Sequence, residues 1–186
     1  MYARRFRNIP IPSHKVTIES SKVSTFKKLF HYDLTIDQYT VLDEIISDFS
    51  SQRPMMRLLQ GDVGCGKTTV ALISALIIIE NGSQVAIMCP TETLARQHFD
   101  SFSEILPKNI NMLLLTGSTP LKEKAVINEQ LLTGSADLVI GTHTLFQNNI
   151  QFSDLKLAII DEQHKFGVDQ RQKLINKGTT THSLIM

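Results

Sequence analysis

Residues 61–68, Gly-Asp-Val-Gly-Cys-Gly-Lys-Thr, set three glycines, a lysine and a hydroxyl in the spacing GxxxxGK[ST]. Each residue type has a chemical reason. Glycine lets consecutive backbone N–H groups turn inward around anionic oxygens, where a side chain would obstruct them. A helix starting at Lys67 adds its positive end to the same anion. Lys67 then reaches the outer phosphates of a nucleoside triphosphate, and Thr68 offers a hydroxyl to Mg²⁺. The candidate loop comprises Gly61, Asp62, Val63, Gly64, Cys65, Gly66, Lys67, Thr68 and Thr69.

A second candidate cluster lies about a hundred residues further on, in Ala158-Ile-Ile-Asp-Glu-Gln-His164. Three apolar residues read as a buried strand that delivers two adjacent carboxylates at its end. Asp161 is suited to hold Mg²⁺ directly or through water, and Glu162 to orient and deprotonate an attacking water. Phosphate loop and acidic pair together read as a Mg²⁺-dependent nucleoside triphosphatase.

The elements that must position these residues follow from the apolar pattern. Strands are expected at Met56–Gln60, Gln84–Cys89, Asn111–Thr116, Asp137–Gly141, Leu155–Asp161 and His182–Met186. Helices are expected at Thr35–Phe49, Lys67–Asn81, Glu92–Leu106, Leu121–Leu132 and Val168–Asn176. Short apolar runs alternating with helices predict an α/β domain with a doubly wound, mostly parallel sheet of about six or seven strands. Ligands then belong at the carboxyl ends of the strands.

Composition agrees. The 186 residues are 42% hydrophobic and 20% charged, with mean hydropathy −0.02, which fits one globular domain with its own core and excludes a disordered chain. The longest uncharged apolar run, Thr68–Ile79, is 12 residues, too short to span a bilayer and suited to a buried helix. Cys65 and Cys89 make neither a disulfide framework nor a zinc site, which suits a reducing, cytoplasmic compartment. The net charge of +1 hides an asymmetry: residues 1–30 carry +6, and residues 31–186 carry −5. A basic arm could touch phosphates or imitate a targeting peptide, but Pro10 and Pro12 break the amphipathic helix that targeting needs. Residues 1–30 are read as a solvated basic junction, and 31–186 as the nucleotide-binding domain.

Asp161-Glu-Gln-His164, followed by Lys-Phe-Gly-Val-Asp-Gln-Arg171, resembles motif II of the RecG-type superfamily 2 helicases. Leu34-Thr-Ile-Asp-Gln38 resembles the Q motif, Leu58–Thr68 motif I, and Pro90-Thr-Glu-Thr-Leu-Ala-Arg-Gln-His98 motif Ia. Thr116-Gly-Ser118 resembles motif Ib, with Gly141-Thr-His-Thr-Leu-Phe-Gln147 beside it. The resemblance implies a RecA-like P-loop NTPase lobe using ATP and Mg²⁺. It implies that Gln38 reads the adenine edge, that Lys67, Asp161, Glu162, Gln163 and His164 form the catalytic set, and that Thr68 and Asp161 serve the metal. His164 is implied to link the nucleotide site to the DNA face. Thr91, Gln97, Thr116, Gly117, Ser118, Thr142 and His143 are implied DNA-backbone contacts, with chemistry that bonds phosphates without reading bases. From the residues alone, Thr91 serves equally well as a helix cap and Ser118 as a turn former.

The family continues past this last strand into motif III and a second RecA-like lobe bearing an arginine finger, and it carries an upstream wedge domain. The 186 residues are therefore expected to be the first lobe alone, in a protein that acts on branched DNA such as forks and Holliday junctions in recombination and repair. Loss of an arginine finger lowers turnover by about 10³–10⁵, so the chain by itself is expected to hydrolyse ATP barely. Two other readings are a transcription-repair coupling factor-type translocase lobe and a truncated, non-catalytic nucleotide-binding module. Cys65 stands where the family usually has a serine, and the helix end and Lys67 are expected to favour its thiolate.

Overall fold

The computed structural model describes residues 2–5, 16, 20–51 and 53–186, without the side chains of 2–5, 20–23 and 163. Of the basic junction, Arg7, Pro10, Pro12, Lys15 and Glu19, together with the side chains of Arg4, Arg5 and Lys22, lie outside the described residues; so does the side chain of Gln163.

In chain order the elements are β1 (Tyr2–Arg5), α1 (Ser20–Lys27), α2 (Ile36–Phe49), β2 (Met56–Gln60), α3 (Lys67–Glu80), β3 (Gln84–Met88) and α4 (Glu92–Ile105). There follow β4 (Met112–Leu115), α5 (Leu121–Thr133), β5 (Leu138–Gly141), β6 (Leu155–Ile160), α6 (Val168–Ile175) and β7 (His182–Ile185). Short 3₁₀ turns occupy His143–Phe146 and Gln163–Lys165. The strands form one sheet in the order β1-β2-β7-β6-β3-β5-β4, all parallel except β1, which runs antiparallel to β2.

Alternation along the strands builds a core on each face. Val85, Ile87, Leu157 and Ile159 pack with the buried residues of α2, α3 and α4. Ala86, Met88, Ala158 and Ile160 pack with Ile127 and Leu131 of α5 and Leu174 of α6. Helix α3 is buried at every position from Thr69 to Ile78 because it lies between the sheet and helices α1 and α2. That explains an apolar run with no polar face.

Helix α2 begins at a capping box in which Thr35 accepts from the Gln38 N–H and Gln38 accepts from the Thr35 N–H. Its far end is tied to β2 by Arg57, which is buried and paired with Asp48 at 2.5 Å and with Glu44. The far end of α2 is therefore fixed relative to β2, while its first turn is closed on itself.

The six strands and five helices expected from sequence are present, with ends within a residue or two. Two elements were not expected: β1 and α1 lie inside the segment read as a solvated junction. Tyr-Ala-Arg-Arg has no alternation, so its strand exists through pairing with β2 rather than through its own pattern. Among the described residues, no helix is long and apolar enough to cross a membrane.

Candidate functional site

Register places the two clusters at one end of the sheet. Leu58 of β2 and Ile160 of β6 both pair with Ile185 of β7. The glycine loop after β2 and the acidic pair after β6 therefore leave the sheet side by side, two strands or about 10 Å apart.

The loop enters α3 through two left-handed glycines, Gly64 at φ 78° and Gly66 at φ 82°. The N–H groups of Gly64, Gly66, Lys67 and Thr68 find no acceptor among the described residues. They form a ready set of donors at the positive end of a 14-residue helix. A phosphate group fits this set. Lys67 Nζ lies on the carbonyls of Gly61 at 2.7 Å and Asp62 at 3.1 Å, so reaching a phosphate exchanges two neutral contacts for charged ones. Asp62 and Val63 are exposed at the loop tip, Cys65 and Thr68 half-buried, and Thr69 buried.

Gln38 lies against this loop. Its Nε2 donates to the Cys65 carbonyl at 2.9 Å. A Cβ on Gly66 would stand 2.1 Å from that same nitrogen. Gly66 is thus favoured by its left-handed backbone angle, and a side chain there would also displace the Gln38 amide from the Cys65 carbonyl. Beside them opens a pocket of about 650 Å³ lined by Lys27, Phe30, Tyr32, Leu34 and Tyr39 among others. Tyr32 Oη hydrogen-bonds Thr69 Oγ1 at 2.6 Å, and the Lys27 ammonium sits 4.2 Å over the Tyr39 ring. These pocket residues were not singled out from sequence; the signal was the aromatic spacing of Phe30 and Tyr32 just ahead of Gln38.

Asp161 Oδ1 accepts from the Glu162 N–H at 3.0 Å, and Asp161 Oδ2 lies 2.9 Å from His98 Nε2. Glu162 has φ 50°, the one positive φ among the described non-glycine residues, so its carboxylate is presented from a strained turn. Cys89 completes a group whose donor atoms lie within 4.8 Å of one another. Burial first, then the charges of Asp161 and Glu162, push the Cys89 thiol up. It therefore stands beside Asp161 as an uncharged neighbour, and the bond that orders the group is His98 to Asp161. His98 was not counted from sequence as a site residue. Its signal was a histidine between Ala95 and Phe102, on the buried stripe of α4, where a polar group needs a partner. His164 is exposed and has no hydrogen-bond or ion-pair partner among the described residues.

The implied DNA residues divide in two. Ile160 pairs with Met88, Met88 with Gly141, and Gly141 with Leu115. The next residue of each strand forms one row: Asp161, Cys89, Thr142, Thr116. Hydrogen bonds run across it from Asp161 to Met88, Cys89 to Gly141 and Thr142 to Leu115, at 2.9, 2.8 and 3.3 Å. Thr116 and Thr142 are buried, and the enclosed Thr142 Oγ1 has no partner among the described residues. Their side chains face the α4 layer rather than solvent, which departs from the expected direct phosphate contact.

Thr91, Gln97, Gly117, Ser118 and His143 are exposed. Thr91 caps α4 by accepting from the Leu94 N–H at 3.2 Å. The Glu92 carboxylate takes the Ser118 N–H at 3.0 Å and the Ser118 hydroxyl at 2.5 Å. Those bonds, the hydroxyl's first, hold the Glu92 carboxyl below the usual carboxylate range. A Cβ on Gly117 would stand 2.8 Å from Glu92 and 3.8 Å from His143, so the three cluster together.

The DEAD/DEAH box helicase family matches residues 35–184, from the N-cap of α2 into β7. The chain belongs to the DEAD/DEAH box helicase family. This family member is 53% identical over 156 residues to the ATP-dependent DNA helicase RecG of Borreliella burgdorferi, covering 83% of this chain and 23% of the relative. It is 48% identical over 163 residues to RecG of Treponema pallidum, covering 85% and 24%. A structure of RecG bound to a three-way DNA junction superposes with TM-score 0.80 at 43% identity, covering 92% of this chain and 23% of that one. The Pyrococcus furiosus Hef helicase domain shares the fold, with TM-score 0.64 at 20% identity over 82% and 32% of the chains. This DEAD/DEAH box member spans about a quarter of the length of the curated relatives it matches.

Proposed function

We propose that residues 31–186 are the ATP-binding first lobe of a RecG-type helicase, which in the intact protein drives translocation on branched DNA in repair and recombination. The observation that carries this reading is the convergence of Gln38, the four free loop N–H groups, Lys67 and the Asp161–Glu162 pair at one end of the sheet. High identity to RecG over most of the chain supports the choice of RecG over a coupling-factor lobe.

The loop N–H groups and Lys67 bind the phosphates. Thr68 and Asp161 would hold Mg²⁺, which neutralises phosphate charge when bound. Glu162 orients and deprotonates the attacking water. The aromatic-edged pocket beside Gln38 suits a purine base, with Phe30, Tyr32 and Tyr39 giving it flat walls. His143 beside the Gly117–Ser118 loop, Gln97 on α4 and Thr91 at its N-cap offer side-chain donors for a DNA backbone, while Ser118 gives its own to Glu92. Full turnover draws on an arginine from a second lobe, and preference for forks on an upstream wedge. Work on chromosomal DNA fits a cytoplasmic location.

The test is equilibrium binding of a fluorescent, non-hydrolysable ATP analogue with Mg²⁺. Lys67→Ala is expected to weaken binding at least tenfold. Equal binding by both proteins overturns the reading. For the intact protein, ATP turnover is expected to rise more with three-way junctions than with linear duplex.

A further inference from the structure

We infer that His98 is a positioning residue for Asp161, holding its carboxylate in the orientation that receives the nucleotide's metal. Asp161 has two carboxylate oxygens and both are engaged: Oδ1 by the Glu162 N–H at 3.0 Å, Oδ2 by His98 Nε2 at 2.9 Å. A carboxylate held at both oxygens cannot turn about its Cβ–Cγ bond without breaking both contacts. The Glu162 bond is local to the turn. The His98 bond crosses 63 residues of sequence and joins two elements.

The imidazole is itself fixed. It stacks on Phe102 with centroids 5.5 Å apart and planes at 26°, and Phe102 and Ala95 are buried against the sheet. Side chains at 14% and 16% exposure keep water from competing freely for the His98–Asp161 bond. At the start of the same helix, Glu92 grips the Ser118 N–H and hydroxyl. Helix α4 therefore bears an exposed loop at one end and the metal carboxylate's support in its middle.

The inference rests on Asp161 serving the Mg²⁺ of the nucleotide, so its test separates the two. A fluorescent, non-hydrolysable ATP analogue is titrated with Mg²⁺ on the 186-residue chain, with thermal unfolding measured alongside. His98→Leu keeps bulk and loses the bond; His98→Gln places an amide nitrogen near the position of Nε2. Supporting groups behind a ligand typically contribute 10–100-fold in metal affinity. The Mg²⁺ half-saturation is expected to rise roughly tenfold in His98→Leu and to return most of the way in His98→Gln, with Mg²⁺-free analogue binding unchanged. An unchanged half-saturation in folded His98→Leu overturns the inference. So does equal impairment in both variants, which would mean packing alone. If wild type shows no Mg²⁺-dependent binding that Lys67→Ala removes, the functional reading fails first.

Discussion

Gln38 Nε2 donates to the Cys65 carbonyl at 2.9 Å while Gln38 Oε1 accepts from the Thr35 N–H at 2.9 Å. One amide side chain thus caps α2 and tethers the glycine loop. The residue implied to read the base is also a strut of the glycine loop.

That double use separates two roles in a binding experiment. Gln38→Ala is expected to weaken inorganic tripolyphosphate as well as ATP, each by roughly five- to tenfold, the equivalent of about one hydrogen bond. A pure base-reading role would leave tripolyphosphate untouched. Gly66→Ala is expected to abolish both, since its Cβ would meet Gln38 and its φ is left-handed. Isothermal titration with the two ligands checks this.

The two thiols stand in opposite settings. Cys89 is fully buried, and its thiol is pushed up, whereas Cys65 is half-buried on the loop. Iodoacetamide is expected to label Cys65 alone in the folded chain, and Mg-ATP to protect it. Peptide mapping reads the site; equal labelling rates with and without nucleotide would refute protection.

Acid should find His182. It is buried, its Nδ1 accepts from the Met55 N–H at 2.9 Å, and it packs edge-on to Phe49 at 4.8 Å. Burial first, then the Lys156 ammonium, pulls its pKa down to about 4. The unfolded chain binds this proton near pH 6.5, so the contribution is complete above pH 6.5 and lost as pH falls toward 4. The loss is about 3 kcal/mol. Denaturant unfolding between pH 7 and 4 should show that slope, and His182→Asn, which keeps an acceptor for Met55, should flatten it.

Thr142 carries a buried hydroxyl without a partner among the described residues. Replacing an unpaired buried polar group by an apolar one of the same shape removes a desolvation cost. Thr142→Val is expected to leave unfolding free energy unchanged or to raise it by up to about 1 kcal/mol. A drop larger than that in urea melts would mean the hydroxyl is paired.

The glycine loop and the acidic pair could be picked out from sequence because each is a local pattern. The glycine spacing, the apolar Ala158–Ile160 and the acids behind them each span only a few residues. What stayed hidden is relational. His98 reads as one polar residue in a helix until register brings Asp161 within 2.9 Å of it. Thr116 and Thr142 have phosphate-binding chemistry in the alphabet, yet strand parity turns them toward the α4 layer. Likewise β1 has no pattern of its own and becomes a strand only because β2 offers an edge.

That edge has a bearing on how the chain survives outside its native state. Strand β2 leads straight into the glycine loop, and Tyr2 to Arg5 pair with it residue for residue, from Gln60 back to Arg57. Peeling away four residues would leave β2 a bare template of unpaired N–H and C=O groups, open to a strand from another molecule. Residues Tyr2–Arg5 thereby take the edge position themselves, so the strand that leads into the glycine loop is paired along both sides.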